Sequence, residues 1–141
     1  MTTTVSPRAP YARRRRAPLR LVFYGFLAWL PTFAAASAVQ TRRETDFPLV
    51  LAVLVVTMTA SVALFCSAYL REAAPVTIRH GLAAGLTWMA LHLLFALVVF
   101  VGGPLGMPAA HFRALAVTTL IIPIVAVALA VARTRERVPR G

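Results

Sequence analysis

Of the three histidines in this chain of 141 residues, one stands well inside an apolar run. It is His92, within IRHGLAAGLTWMALHLLFALVVFV, residues 78–101. An ionisable side chain at such depth is a functional candidate, because burying it in hydrocarbon is expensive unless it has a task or a partner. Neutral imidazole can ligate a haem or a chlorophyll-type pigment, relay a proton, or hydrogen-bond a hydroxyl or carbonyl of a neighbouring helix. Bis-histidine haem needs a second ligand, and His80 and His111 fall near opposite ends of their segments. A proton relay needs a buried carboxylate, yet Glu44, Asp46, Glu72 and Glu136 all fall in loops or the tail. A structural hydrogen bond is the leading reading for His92, with cofactor ligation as the alternative.

The same run carries Gly81 and Gly85, a small-xxx-small pair that lets two helix backbones approach closely. Helical steps of three and four put Gly81, Gly85, Trp88, His92 and Ala96 on one face. That stripe is expected to face another helix, in this chain or in a partner. Pro31 and Pro123 fall near the middle of two other apolar runs, where each kinks a helix and frees the carbonyl four residues back, on Leu27 and Thr119. Broken helices can line solute sites in carriers. More commonly a neighbour or a local hydroxyl satisfies the freed backbone, and Thr118 stands beside Thr119.

The elements that must position these residues follow from hydropathy. The chain is 60% hydrophobic and 13% charged, with a mean hydropathy of +0.78. A soluble fold of this size cannot hide so much apolar surface in one core. Four apolar segments, at about 21–39, 48–70, 78–101 and 112–132, are separated by short polar or proline- and glycine-rich loops. Each is long enough to cross the hydrocarbon layer as a helix. The predicted fold is all-α, a single transmembrane bundle over residues 21–132 built as two helical hairpins. Residues 1–20 read as a disordered basic arm, and residues 133–141 as a basic tail. Pro48 suits the first turn of the second helix.

All fifteen basic residues are arginine, and the formal net charge is +11. Twelve arginines fall in the amino-terminal arm, the second loop and the tail; three fall near the first and third loops. The positive-inside rule then places both termini in the cytoplasm, as in a multi-pass protein of a bacterial inner membrane. Arg13, Arg14, Arg15 and Arg16 suit contact with anionic lipid headgroups. No recognition motif accompanies the charge, so nucleic acid is not an expected partner. The single cysteine, Cys66, excludes a disulfide within the chain.

A secretory signal competes with a retained first helix. The basic arm, the apolar stretch to Leu30 and Ala36-Ser37-Ala38 match a cleavable segment ending near residue 38. The alanine-rich second half of the run favours retention.

The third and fourth segments resemble a group of small, uncharacterised prokaryotic four-helix membrane proteins. The likeness rests on Arg79-His80-Gly81 with Gly85 and Trp88, on Gly103-Pro104-Leu105-Gly106-Met107, and on Leu120-Ile121-Ile122-Pro123-Ile124. It implies the four-helix architecture and assigns no activity.

With no metal motif, phosphate loop or nucleophile–base set, the chain is not expected to be an enzyme. The leading expectation is an accessory or scaffold subunit of a larger membrane complex. The alternatives are a small channel or carrier formed by self-association, and a haem- or pigment-binding subunit. Fluorescent-protein fusions, which mature only in the cytoplasm, should be bright at either end; periplasmic alkaline phosphatase activity at either end would reverse the orientation.

Overall fold

The computed structural model describes residues 17–42, 45–73, 76–101 and 108–136. The arginine cluster at 13–16, the turn at 102–107 and the end of the tail lie outside the described residues. Helix α1 (Ala17–Ala38) is followed by a single 3-10 turn, Gln40–Arg42. Helix α2 is Phe47–Glu72, and α3 is Ile78–Ala96, continued as a π-helical turn over Leu97–Val101. Helices α4 (Ala109–Thr118) and α5 (Ile121–Glu136) together form the last span. Four spans are long and apolar enough to cross a membrane: Pro18–Ala38, Phe47–Glu72, Ile78–Val99 and Ala109–Glu136. The protein is an all-α, multi-pass membrane bundle.

Local chemistry sets the helix starts. The Asp46 carboxylate caps α2 by accepting the Leu49 N–H at 3.2 Å. Pro48 occupies the first turn, where its missing N–H removes no helical bond. Thr77 caps α3, its hydroxyl accepting the His80 N–H at 3.4 Å.

Three boundaries differ from the sequence reading. Ala17 to Arg20 belong to α1, not to the arm, because Pro18 is tolerated in a first turn and Arg20 has a partner within the fold. Its guanidinium meets Glu72 at 3.2 Å, and the same carboxylate accepts the Tyr24 hydroxyl at 2.8 Å, tying the start of α1 to the end of α2. At the other terminus the helix continues past Ala132 to Glu136, with Arg133 and Arg135 in a last turn whose dipole favours cations. The fourth segment is two helices, with a break at Thr119 and Leu120 ahead of Pro123. Pro31, in contrast, lies inside a helix that continues on both sides of it.

Helix α1 packs on α2 and α3, and α5 packs on the same two helices, so the order around the bundle is α1, α2, α5, α3. Each sequential hairpin stays paired, and the two hairpins close face to face. The tightest seam joins α3 to α5. A Cβ on Gly81 would lie 2.6 Å from the Ala130 Cβ and 2.9 Å from the Ala126 carbonyl oxygen. One on Gly85 would lie 2.5 Å from the Pro123 Cα, closer than real carbon atoms approach. A third glycine, Gly25 on α1, makes room for Trp88, whose Cδ1 would stand 2.6 Å from an added Cβ.

Large apolar side chains such as Phe23, Val56, Leu64, Leu94 and Ile124 point outward. That arrangement suits lipid as the surrounding solvent. Inside, the buried side chains form two separate clusters. One, around Met58, Val62, Cys66, Trp88 and Ile122, lies toward the end that carries the termini. The other, around Ala36, Val50, Leu54, Ala96 and Leu115, lies toward the opposite end.

Gly85→Ala should lower stability by about 1–2 kcal/mol, because the overpacking against Pro123 backbone exceeds the gain in helix propensity. Reversible unfolding in mixed micelles would measure it, with outward-facing Leu94→Ala as a control that changes little. An equal or higher stability for Gly85→Ala would show that the seam is looser than described.

Candidate functional site

The site is assembled one helical turn at a time along α3. Trp88 is fully buried, and its indole Nε1–H donates to the Leu21 carbonyl of α1 at 2.8 Å. This contact pins α3 to α1 at the level where Gly25 leaves space. One turn further, His92 Nδ1 lies 3.0 Å from the Trp88 carbonyl oxygen. A carbonyl can only accept, so Nδ1 carries the hydrogen, and in a neutral imidazole Nε2 is then left as a bare acceptor. His92 is only 3% exposed, and Nε2 is buried with no partner among the described residues.

Nε2 belongs to a ring lining a small pocket, about 20 Å³ of free space, bounded by all four spans. Two hydroxyl residues share the lining with it, Thr32 of α1 and Thr119 at the break between α4 and α5. The Thr32 Oγ1 is buried and has no partner among the described residues. Trp29 and Phe33 supply an aromatic wall, and Leu54 and Met58 the opposing aliphatic one. Trp29 stacks on Phe33 at 4.9 Å between ring centroids and lies 4.8 Å from Phe95, so that wall is braced from outside the pocket. The free space deep in the pocket suits a guest of about the size of one water.

The break beside Thr119 redirects several donors to carbonyls that lose their usual partners. Pro123 has no N–H to give the Thr119 carbonyl, and the Ile122 N–H supplies it instead at 3.0 Å. The tightened turn directs the Thr119 and Leu120 N–H groups to Ala116 and Val117, both at 3.2 Å. Leu115 loses its usual backbone donor, and the Thr118 hydroxyl replaces it at 2.7 Å. The Thr119 hydroxyl donates to the Ala116 carbonyl at 2.7 Å, which leaves its oxygen lone pairs as acceptors. The sequence reading that Pro123 frees the Thr119 carbonyl is thus met by a neighbouring donor, the Ile122 N–H.

The candidate residues separate into different tasks. Gly81 and Gly85 press on α5, Trp88 holds α1, and His92 and Ala96 line the pocket. The stripe is therefore filled from within the chain, and a partner complex cannot use it without opening the bundle. Neither of the other histidines reaches His92. His80 stands at the start of α3 with its Nδ1 2.7 Å from the Thr77 hydroxyl. His111, in the first turn of α4, stacks on Phe47 with ring centroids 3.8 Å apart and planes 10° from parallel. Cys66 is buried in the larger apolar cluster with its thiol free. The sequence reading did not single out Thr32, Thr119 or Gly25 as site residues. Position offered a signal for two of them, since Thr32 follows Pro31 and Thr119 precedes Pro123 by one helical turn.

A haem or chlorophyll-type group can be tested against this geometry. Nε2 is free to ligate, but a porphyrin macrocycle is larger than the whole pocket, and Trp29, Phe33, Leu54 and Met58 close on the space it would need. The residues present do not fit that group. Among the described residues no three His, Cys, Asp or Glu side chains converge on a point where a metal ion could sit. Compared with known families, with curated proteins and with solved structures, the chain matches none.

Thr32→Val should leave stability unchanged or raise it, since it removes a buried hydroxyl that has no partner and keeps the side-chain shape. Trp88→Phe should cost about 1–2 kcal/mol by deleting the bond to Leu21. The same micellar unfolding assay ranks the two, and a larger loss for Thr32→Val would mean that its hydroxyl is bonded after all.

Proposed function

We propose that this protein is a small, non-catalytic carrier or channel of the bacterial inner membrane, with both termini cytoplasmic, that holds its solute beside His92. One observation carries the reading: a pocket with an unpartnered polar atom lies at a break in the last span, between two apolar clusters that plug the bundle above and below it. His92 is about 20 Å along α3 from its start, deep within the hydrocarbon layer. Solute sites of carriers lie at such depth and beside discontinuous helices, where irregular backbone is tolerated because it borders a cavity. A single chain supplies all four walls, so the reading does not require self-association. The arginine-rich arm serves to hold the cytoplasmic face against anionic headgroups.

The alternative, an accessory or scaffold subunit of a larger complex, drew its support from the glycine stripe. With that stripe covered by α5, it is the weaker of the two.

Purified protein in liposomes should pass at least one solute of a panel of neutral molecules, monovalent cations and small anions faster than protein-free vesicles. Pro123→Ala should slow that flux, because the restored N–H can bond the Thr119 carbonyl and straighten the break. No protein-dependent flux for any member of the panel would overturn the carrier reading. Co-purification with a large membrane complex in the same preparation would then bring the accessory reading forward.

A further inference from the structure

The His92 pocket is closed in this structure. Its free space is about 20 Å³, room for roughly one water, and Nε2 of His92 and Oγ1 of Thr32 are both buried. A carrier built on this pocket must have a second state, in which one wall moves. The walls are not held equally. Helix α1 is tied to α3 by the Trp88–Leu21 bond and to α2 by Arg20 on Glu72. Helices α3 and α5 share the glycine seam, and α5 buries Ile122, Ala126 and Ala130 fully. Helix α4 is the exception. Leu115 is its one buried residue, and Phe112 packs beside it on the smaller cluster. Among the described residues its hydrogen bonds, including that of the Thr118 hydroxyl, stay within its own span.

Both ends of α4 suit a hinged element. At one end Thr119 and Leu120 separate it from α5, and the backbone bonds over three residues: Thr119 to Ala116, Leu120 to Val117, Ile122 to Thr119. Pro123 has no N–H with which to restore the α-helical ladder. The break can therefore bend without parting a hydrogen bond to another helix. At the other end the His111 imidazole lies flat on the Phe47 ring at the start of α2, with centroids 3.8 Å apart and planes 10° from parallel. Its Nδ1 is buried with no partner among the described residues, so that atom adds no directional bond to the stack. Closure of α4 buries a leucine but strands Nε2 of His92 and Oγ1 of Thr32, and an outward swing that admits water relieves both. An apolar gain is thus set against a polar one, as a gate with two accessible states requires. We infer, on the reading of the pocket as a solute site, that α4 is its gate. It hinges at Thr119 and Leu120, is latched by His111 on Phe47, and on opening withdraws Leu115 from the pocket wall.

Amide hydrogen exchange of the full-length protein in lipid nanodiscs tests the gate without any substitution. Residues 109–118 of α4 should exchange about tenfold faster than residues 47–56 of α2, which lie at the same end of the bundle. Phe47→Ala and, separately, His111→Ala should speed α4 about tenfold further, the equivalent of a lost aromatic stack, and leave residues 121–136 unchanged. Pro123→Ala should slow α4 by restoring an N–H at the hinge. The pocket itself is read through Thr32→Cys in a Cys66→Ser background, a site on α1 that the gate covers. Its reaction with a small methanethiosulfonate should quicken with Phe47→Ala and slow with Pro123→Ala. Exchange of α4 no faster than that of residues 47–56, or a latch variant that speeds α4 and α5 together, overturns the inference. A Thr32→Cys thiol indifferent to latch and hinge overturns it as well. Should α4 open and the thiol respond while no solute crosses the membrane, the gate stands and the carrier reading fails. Should a solute cross at a rate that neither latch variant alters, the carrier reading stands and the gate is wrong.

Discussion

The structure depends on how closely two backbones can approach. In lipid, apolar side chains gain nothing by leaving their solvent for one another, so helices associate through dispersion contacts and a few polar bonds. The α3–α5 seam supplies the dispersion, because Gly81 and Gly85 present bare backbone to Ala126, Ala130 and Pro123. It sets the depth of Trp88, whose bond to the Leu21 carbonyl then brings in α1 through the gap left by Gly25. With α3 held on two sides, the residue one turn beyond Trp88 has nowhere to point but the centre of the bundle.

That residue is His92, and its position divides the interior. An apolar side chain there would let the two buried clusters merge into one continuous core. Instead a pocket separates them, bordered by a hydroxyl from α1 and another from the break before α5. A buried, unpartnered imidazole nitrogen lowers stability. The surrounding contacts must offset that loss, and the break is repaired in part: the Ile122 N–H and the Thr118 and Thr119 hydroxyls supply donors to the Thr119, Leu115 and Ala116 carbonyls. Among the described residues, the buried side-chain polar atoms without a partner are Nε2 of His92, Oγ1 of Thr32 and, on the Phe47 stack, Nδ1 of His111.

Much of the architecture was legible in the sequence, since the length of an apolar run is a direct measure of a span and polar or proline- and glycine-rich loops separate the runs. The small-xxx-small pair marked a close seam, and Pro123 marked the turn at which the last span breaks, because a proline conflicts with the carbonyl one turn back. Four features needed three dimensions. The partner of the glycine stripe is a property of the ring order α1, α2, α5, α3, which no periodicity encodes. The helical start at Ala17 depends on Arg20 finding Glu72, a contact 52 residues away in the chain. The π-helical turn at Leu97–Val101 has no glycine or proline within it to announce it. The convergence of Thr32, His92 and Thr119 arises from three separate spans, and each threonine alone reads as an ordinary hydroxyl bonding back to its own helix.

The central claim is that the glycine face of α3 closes this chain on itself, and thiol cross-linking tests it most directly. In a Cys66→Ser background, cysteines at positions 81 and 130 would have their Cβ atoms within the reach of a disulfide after a small adjustment. Mild oxidation in native membranes should consume both thiols and leave the protein at its monomer mass. A ladder of cross-linked dimers, with free thiols remaining in the monomer, would contradict the account and return the stripe to the role of a docking face.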